Sequence, residues 1–206
     1  MWTAIKDDGP LLHYKRKIFE SAGCPFPGTF AVDFVVNESM DEEDESLPPR
    51  TTYFSKEALE HVGSLDNRPM LVALHGVSGG SSEVYLKHVL APLVGADGER
   101  RWEACVVNSR GCAMHKITSE FTFNARSTWD LRQAVLWLRK TFPNRPLFGV
   151  GCSLGANLLI NVSASEPSLT SVLSSTSIWV RKAMRAFLRP PSSSRIHGAW
   201  MSATRS

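Results

Sequence analysis

The chain has no apolar run of the roughly 18 residues that a membrane-spanning helix needs. Its opening stretch, "MWTAIKDDGPLLHYKRK", has no continuous apolar core, so a secretory leader is not expected. Cysteine is sparse, with Cys24, Cys105, Cys112 and Cys152 scattered along 206 residues. Without a leader they read as reduced thiols of an intracellular protein, not as a disulfide framework. Cys105, Cys112 and His115 fit no zinc spacing, and no second ligand pair follows, so no metal is expected. A large excess of one charge is missing too. A formal net charge of +3 gives no reason to expect nucleic acid as a partner. The charge is unevenly spread, however. Through Ser153 there are 17 basic and 19 acidic residues, and beyond it 6 and 1.

An apolar fraction of 43% and a charged fraction of 21% suit an ordinary globular core. "FAVDFVV" (residues 30–36) reads as a strand. The acidic stretch "NESMDEEDESLPPR" that follows cannot bury a face and reads as an exposed loop. "RTTYFS" suggests a short strand and "KEALEHVG" a short helix. From Arg68 the pattern changes. "MLVALHG" is a continuous apolar run ending in glycine, as in a parallel strand covered on both faces. Residues 82–94 carry helical spacing, and "EACVVNSRG" reads as the next strand. "STWDLRQAVLWLRKTF" reads as a helix with a Ser127/Asp130 capping box. Leu131, Ala134, Val135 and Leu138 form its apolar stripe. "RPLFGVGCS" and "LGANLLINVSASE" complete a third strand–helix pair. This alternation predicts an α/β sheet with parallel strands.

Two turns carry chemistry. Gly151-Cys152-Ser153-Leu154-Gly155 matches G-x-S-x-G between a buried strand and a helix, the setting of a nucleophilic serine on a strained turn. A helix N-terminus there also favours developing negative charge. Attack on an ester carbonyl creates an oxyanion that needs fixed donors. The amide of Leu154 is one candidate. "LHGVSGGS", directly after an earlier strand, offers the amide of Val77 as the other. A structural reading, in which both turns only close tight strand-to-helix connections, remains alongside. A phosphate-binding reading fails, because neither turn has G-x-x-x-x-G-K-[ST] or G-x-G-x-x-G spacing.

Together "RPMLVALHGVSGGSSEVYL", "VVNSRGCA", "STWDLRQAVLWL" and "GVGCSLGANLL" resemble the α/β-hydrolase fold. More narrowly, they resemble the esterase/acyltransferase branch of fungal medium-chain fatty acid ethyl ester synthase/esterases and animal abhydrolase-domain proteins. The match runs over about residues 50–160, with four motifs in order. The resemblance implies ester hydrolysis or alcohol acylation by a Ser–Asp–His triad without a cofactor. The partners it implies are a medium-chain acyl ester and a small alcohol or water. It carries over Ser153 as nucleophile and the backbones of Val77 and Leu154 as oxyanion donors. Arg110, in "SRGCA", it casts as a holder of nearby loops.

The pattern then breaks. In this fold the acid and the histidine follow the serine in sequence. After Ser153 there is no aspartate, and only Glu166 and His197 carry the right chemistry. His13, His61, His75, His88 and His115 all precede it. The expected architecture is therefore an α/β-hydrolase fold, a mostly parallel sheet with flanking helices, lacking its C-terminal strands and helices. Residues 1–68 would lead into the fold, 69–166 form a partial core, and 167–206 a poorly ordered Ser/Arg-rich tail. In that tail "WVRKAMRAFLR" (residues 179–189) has a basic amphipathic pattern suited to an anionic membrane. Two functional readings result. One is a serine esterase or acyltransferase in the cytoplasm or at a lipid surface. The other is an inert, truncated hydrolase-fold protein acting through interaction or membrane contact.

Overall fold

Which face each apolar residue reaches follows from the two-residue period of a strand. In the computed structural model, which describes residues 9–21, 23–37, 42, 44–95 and 101–165, "MLVAL" is strand β4 (Met70–Leu74), buried along its whole length. Met70, Val72 and Leu74 join one core, and Leu71 and Ala73 join another on the opposite face. A strand covered on both sides has no polar alternation to show.

Numbered in chain order, the other strands are β1 (His13–Ser21), β2 (Gly28–Val36), β3 (Thr51–Tyr53), β5 (Glu103–Asn108) and β6 (Leu147–Gly151). The helices are α1 (Lys56–His61), α2 (Val84–Val94), α3 (Trp129–Thr141) and α4 (Leu154–Ser165). The six strands form one sheet in the order β3-β1-β2-β5-β4-β6. β4 pairs parallel with both β5 and β6, while β2 joins β1 and β5 antiparallel. The mostly parallel α/β sheet expected from the sequence is the one observed.

Helix α2 covers one face with Leu86, Leu90 and Val94. Helices α3 and α4 cover the other with Leu131, Ala134, Val135, Leu138, Leu158 and Val162. The four residues expected to stripe α3 are its four buried residues. No described helix is long and apolar enough to cross a membrane.

Three details differ from expectation. β1 was not foreseen. Its sequence "HYKRKIFES" hides the strand because Arg16 is buried by pairing, not by apolar character. Helix α2 begins at Val84 rather than at residue 82, since Ser81 is held in the preceding turn by partners on two strands. The Ser127/Asp130 capping box does not form. Ser127 Oγ bonds Asn124, while the Asp130 carboxylate takes Nε and Nη2 of Arg110 and the hydroxyl of Ser21. A charged fork is the stronger partner for a carboxylate than a single backbone amide. Glu166, His197, residues 179–189 and the tail lie outside the described residues.

Candidate active site

The chain leaves β6 at Gly151 and enters α4 at Leu154, so only two residues make the turn. The Cys152 amide donates to the carbonyl of Leu74 at 3.1 Å, extending the β4–β6 ladder by one bond. Ser153 then adopts φ 51, a left-handed conformation that a side chain takes at a cost of order 1 kcal/mol or more. Asn157 donates to the Ser153 carbonyl at 3.2 Å, closing the first turn of α4.

Two glycines make this turn possible. A Cβ on Gly151 would lie 2.4 Å from the nitrogen of Ala156. A Cβ on Gly155 would lie 2.6 Å from the Leu74 carbonyl oxygen and 2.7 Å from that of His75. The start of α4 therefore rests directly on the end of β4. The loop that continues β4, residues 75–81, is brought against Ser153 for the same reason. A Cβ on Gly76 would sit 3.7 Å from Cβ of Ser153.

Ser153 is exposed, and its hydroxyl has no hydrogen-bond partner among the described residues. The amides of Val77 and Leu154 likewise meet no acceptor among those residues, and both belong to segments meeting at Gly76 and Ser153. Gly76 differs, because its amide donates to the hydroxyl of Tyr85 at 2.9 Å.

His75, the nearest histidine in sequence to this junction, is fully engaged. Its Nε2 accepts from the Ser109 amide at 3.0 Å, which fixes the proton on Nδ1, and Nδ1 donates to the Gly76 carbonyl at 2.6 Å. Burial pulls its pKa below the ordinary value, with the Gly76 bond and the Glu83 and Asp33 carboxylates opposing. It is a neutral tie between the loops that follow β4 and β5. Elsewhere, His61 bonds the Glu57 carbonyl and His115 meets Thr29. Among the described residues no histidine nitrogen is hydrogen-bonded to Ser153.

The far end of the same loop is anchored by a buried polar network. Arg16 on β1 grips Asp33 on β2 through Nε and Nη2, both at 2.7 Å, and both side chains are wholly buried. Asp33 Oδ2 also accepts from the Ser81 hydroxyl at 2.5 Å and from Asn108 Nδ2 at 2.8 Å. Asn108 Oδ1 accepts from the Ser81 amide, and the Tyr14 hydroxyl donates to the Ser81 carbonyl. Arg16 reaches on to the carbonyl of Ala113. Four donors satisfy one carboxylate, as a buried charge requires. Residues Arg16, Asp33, Ser81 and Asn108 were missed at the sequence level. The signal present was a lone aspartate inside "FAVDFVV", where every neighbour is apolar.

Arg110 makes a second clamp. Besides Asp130, its Nη1 donates to the Phe26 carbonyl at 2.6 Å. This joins the loop after β5, the β1–β2 connection and the first turn of α3, so Arg110 holds loops together. No group of three or more His, Cys, Asp or Glu side chains gathers as a metal site would, among the described residues. Burial pushes the Cys105 thiol up to about 12, which makes it inert as a ligand or nucleophile.

No family model matches the chain. Among curated proteins, it is 34% identical over 176 residues to a monoacylglycerol lipase of Saccharomyces cerevisiae. That alignment covers 78% of the chain and 38% of the lipase. It is 39% identical over 120 residues to the medium-chain fatty acid ethyl ester synthase/esterase 2 of the same yeast, covering 58% of the chain and 26% of that protein. It is 27% identical over 109 residues to a phospholipase ABHD3 of Bos taurus, covering 53% of the chain and 26% of that protein. The chain thus spans about a quarter to two-fifths of the length of these curated relatives.

Proposed function

From a chain that belongs to the esterase branch of the α/β-hydrolase fold, we propose the nucleophile and oxyanion half of a serine ester hydrolase or acyltransferase for medium-chain acyl esters. One observation carries this reading. Ser153 stands in a left-handed, glycine-flanked turn beside Gly76, with the unbonded amides of Val77 and Leu154 in the two segments that meet there. A turn built only for compactness has no need to hold a serine in a strained conformation with its hydroxyl in solvent.

In the proposed reaction the Ser153 hydroxyl oxygen bonds to the ester carbonyl carbon and gives its proton to a base. The carbonyl π pair moves onto oxygen, and the Val77 and Leu154 amides donate to that oxyanion. Collapse expels the alcohol oxygen, which takes up the proton, and leaves an acyl-enzyme. Water or a small alcohol then repeats the sequence to release acid or a new ester. No cofactor enters. The names of the relatives, a monoacylglycerol lipase and an ethyl ester synthase/esterase, support a fatty acyl ester as substrate.

A second reading is favoured by one specific observation. No described histidine is hydrogen-bonded to Ser153, and His75 has both ring nitrogens committed to backbone. On that reading the chain is a hydrolase fold without turnover. One experiment separates the two. Purified protein and Ser153→Ala are compared for turnover of p-nitrophenyl esters of graded chain length and for labelling by a fluorophosphonate. Serine catalysis gives turnover that peaks at medium chains, together with a label, and both vanish in Ser153→Ala. Equal rates in the two proteins reject it.

A further inference from the structure

Beside Ser153 stands a hydroxyl that neither the motif nor the resemblance accounts for. Tyr85 is the second residue of α2, and its phenol oxygen accepts from the Gly76 amide at 2.9 Å. A Cβ-sized point on Gly76 lies 3.6 Å from that oxygen and 3.7 Å from Cβ of Ser153. The phenol and the nucleophile therefore border the same side of one glycine, with no side chain on Gly76 to separate them. Tyr85 is 38% exposed and Ser153 is exposed as well, so both hydroxyl-bearing residues face solvent.

The hydrogen-bond roles are constrained. An N–H can only donate, so the phenol oxygen must be the acceptor toward Gly76. Its own O–H then points elsewhere, and among the described residues it meets no acceptor. Two consequences follow. The Gly76 amide is already used and cannot serve an oxyanion. A neutral donor stands ready one residue from the Val77 amide. Burial raises the phenol pKa above its ordinary value, the Gly76 bond opposes this, and Glu83 and Cys152, the titratable neighbours, raise it further. The donor proton is thus retained through neutral and mildly alkaline pH.

We propose that Tyr85 is a catalytic residue, donating its phenol proton in a third hydrogen bond to the oxyanion formed when Ser153 attacks an acyl ester. The assignment rests on the serine-hydrolase reading above.

The test uses the full chain with a p-nitrophenyl medium-chain ester. Tyr85→Phe keeps the ring and removes the hydroxyl. It is expected to lower kcat about 100-fold, the usual scale for one oxyanion donor, with KM little changed. Because the phenol also seats the Gly76 amide, a second variant separates donation from support. Replacing Tyr85 by 3,5-difluorotyrosine makes the phenol more acidic. Its phenolate still accepts from Gly76 but cannot donate. Donation predicts that the alkaline fall of kcat moves to lower pH in the fluorinated protein, whereas pure support leaves that limb in place. A full rate in Tyr85→Phe, or an unmoved alkaline limb, overturns the proposal and leaves the Ser153 reading intact. Wild-type turnover no greater than that of Ser153→Ala overturns the Ser153 reading, and this proposal with it.

Discussion

At the scale of single residues, the site is set by the missing side chains of Gly151 and Gly155. Gly155 has no Cβ because the end of β4 occupies that space, with two carbonyl oxygens at 2.6 and 2.7 Å from where it would be. Those atoms are backbone and cannot swing aside. Gly155→Ala should therefore cost about 3 kcal/mol, at the upper end of overpacking penalties, and push α4 off β4. Gly23 provides the contrast. A Cβ there meets nothing within 4 Å, and only its φ of 74 is at stake, worth about 1–2 kcal/mol. Urea melts of the two variants check the order, and equal losses would refute the steric account. The G-x-S-x-G pattern was legible because it encodes this need directly. Tyr85 was not, because a tyrosine at helical spacing reads as one more member of an amphipathic stripe.

At the scale of elements, the loop carrying Gly76 and Val77 is pinned at both ends by groups that belong to strands. His75 ties its start to the Ser109 amide, and Ser81 ties its end to Asp33 and Asn108. Asp33→Ala would leave the Arg16 guanidinium buried without its partner, a loss of about 3–5 kcal/mol. It would also release Ser81, so amide exchange over residues 76–81 should accelerate more than exchange in β5. Arg16→Met combined with Asp33→Leu should cost less than the sum of the single changes, because neither charge is then stranded. A fully additive cycle would show that the pair is not coupled. This network explains which elements the sequence disclosed. β2, β4, β5 and β6 announced themselves through apolar runs and the helices α2, α3 and α4 through apolar periodicity, because burial there is apolar. β1 did not, since its central buried side chain is an arginine whose partner is 17 residues away. Local pattern holds no record of a pairing made across a sheet. The failed Ser127/Asp130 cap has the same origin, with Asp130 drawn off by Arg110 from another loop.

At the scale of the whole molecule, these polar ties make stability depend on pH in one direction. His75 is neutral in the fold, and burial holds its pKa below the ordinary 6.5. In the unfolded chain it titrates near that ordinary value. As pH falls below about 6.5, the unfolded state takes up a proton that the folded state refuses, so stability drops. The slope for one group is at most about 1.4 kcal/mol per pH unit. Protonation of the folded ring would also cost the bond from Ser109, since Nε2 could no longer accept. His115 acts in the same direction, lowered by burial and then by the Arg16 charge, against Thr29 and Asp33. Asp66 takes over at lower pH. The Arg145 guanidinium, with Ser64 and the Arg68 amide, holds its carboxyl well below the usual range despite partial burial. Its contribution is complete above about pH 4 and disappears as pH falls below that. The expected profile is a decline from pH 7 to 5 set by histidines and a further decline below 4 set by Asp66. Urea unfolding at pH 5, 6, 7 and 8 tests the first limb. His75→Gln keeps an amide that can donate and accept but has no titration. It should flatten that limb in part, and adding His115→Gln should flatten it further. A wild-type protein equally stable at pH 5 and 7, or a His75→Gln profile with the wild-type slope, would show that His75 is not the group that sets it.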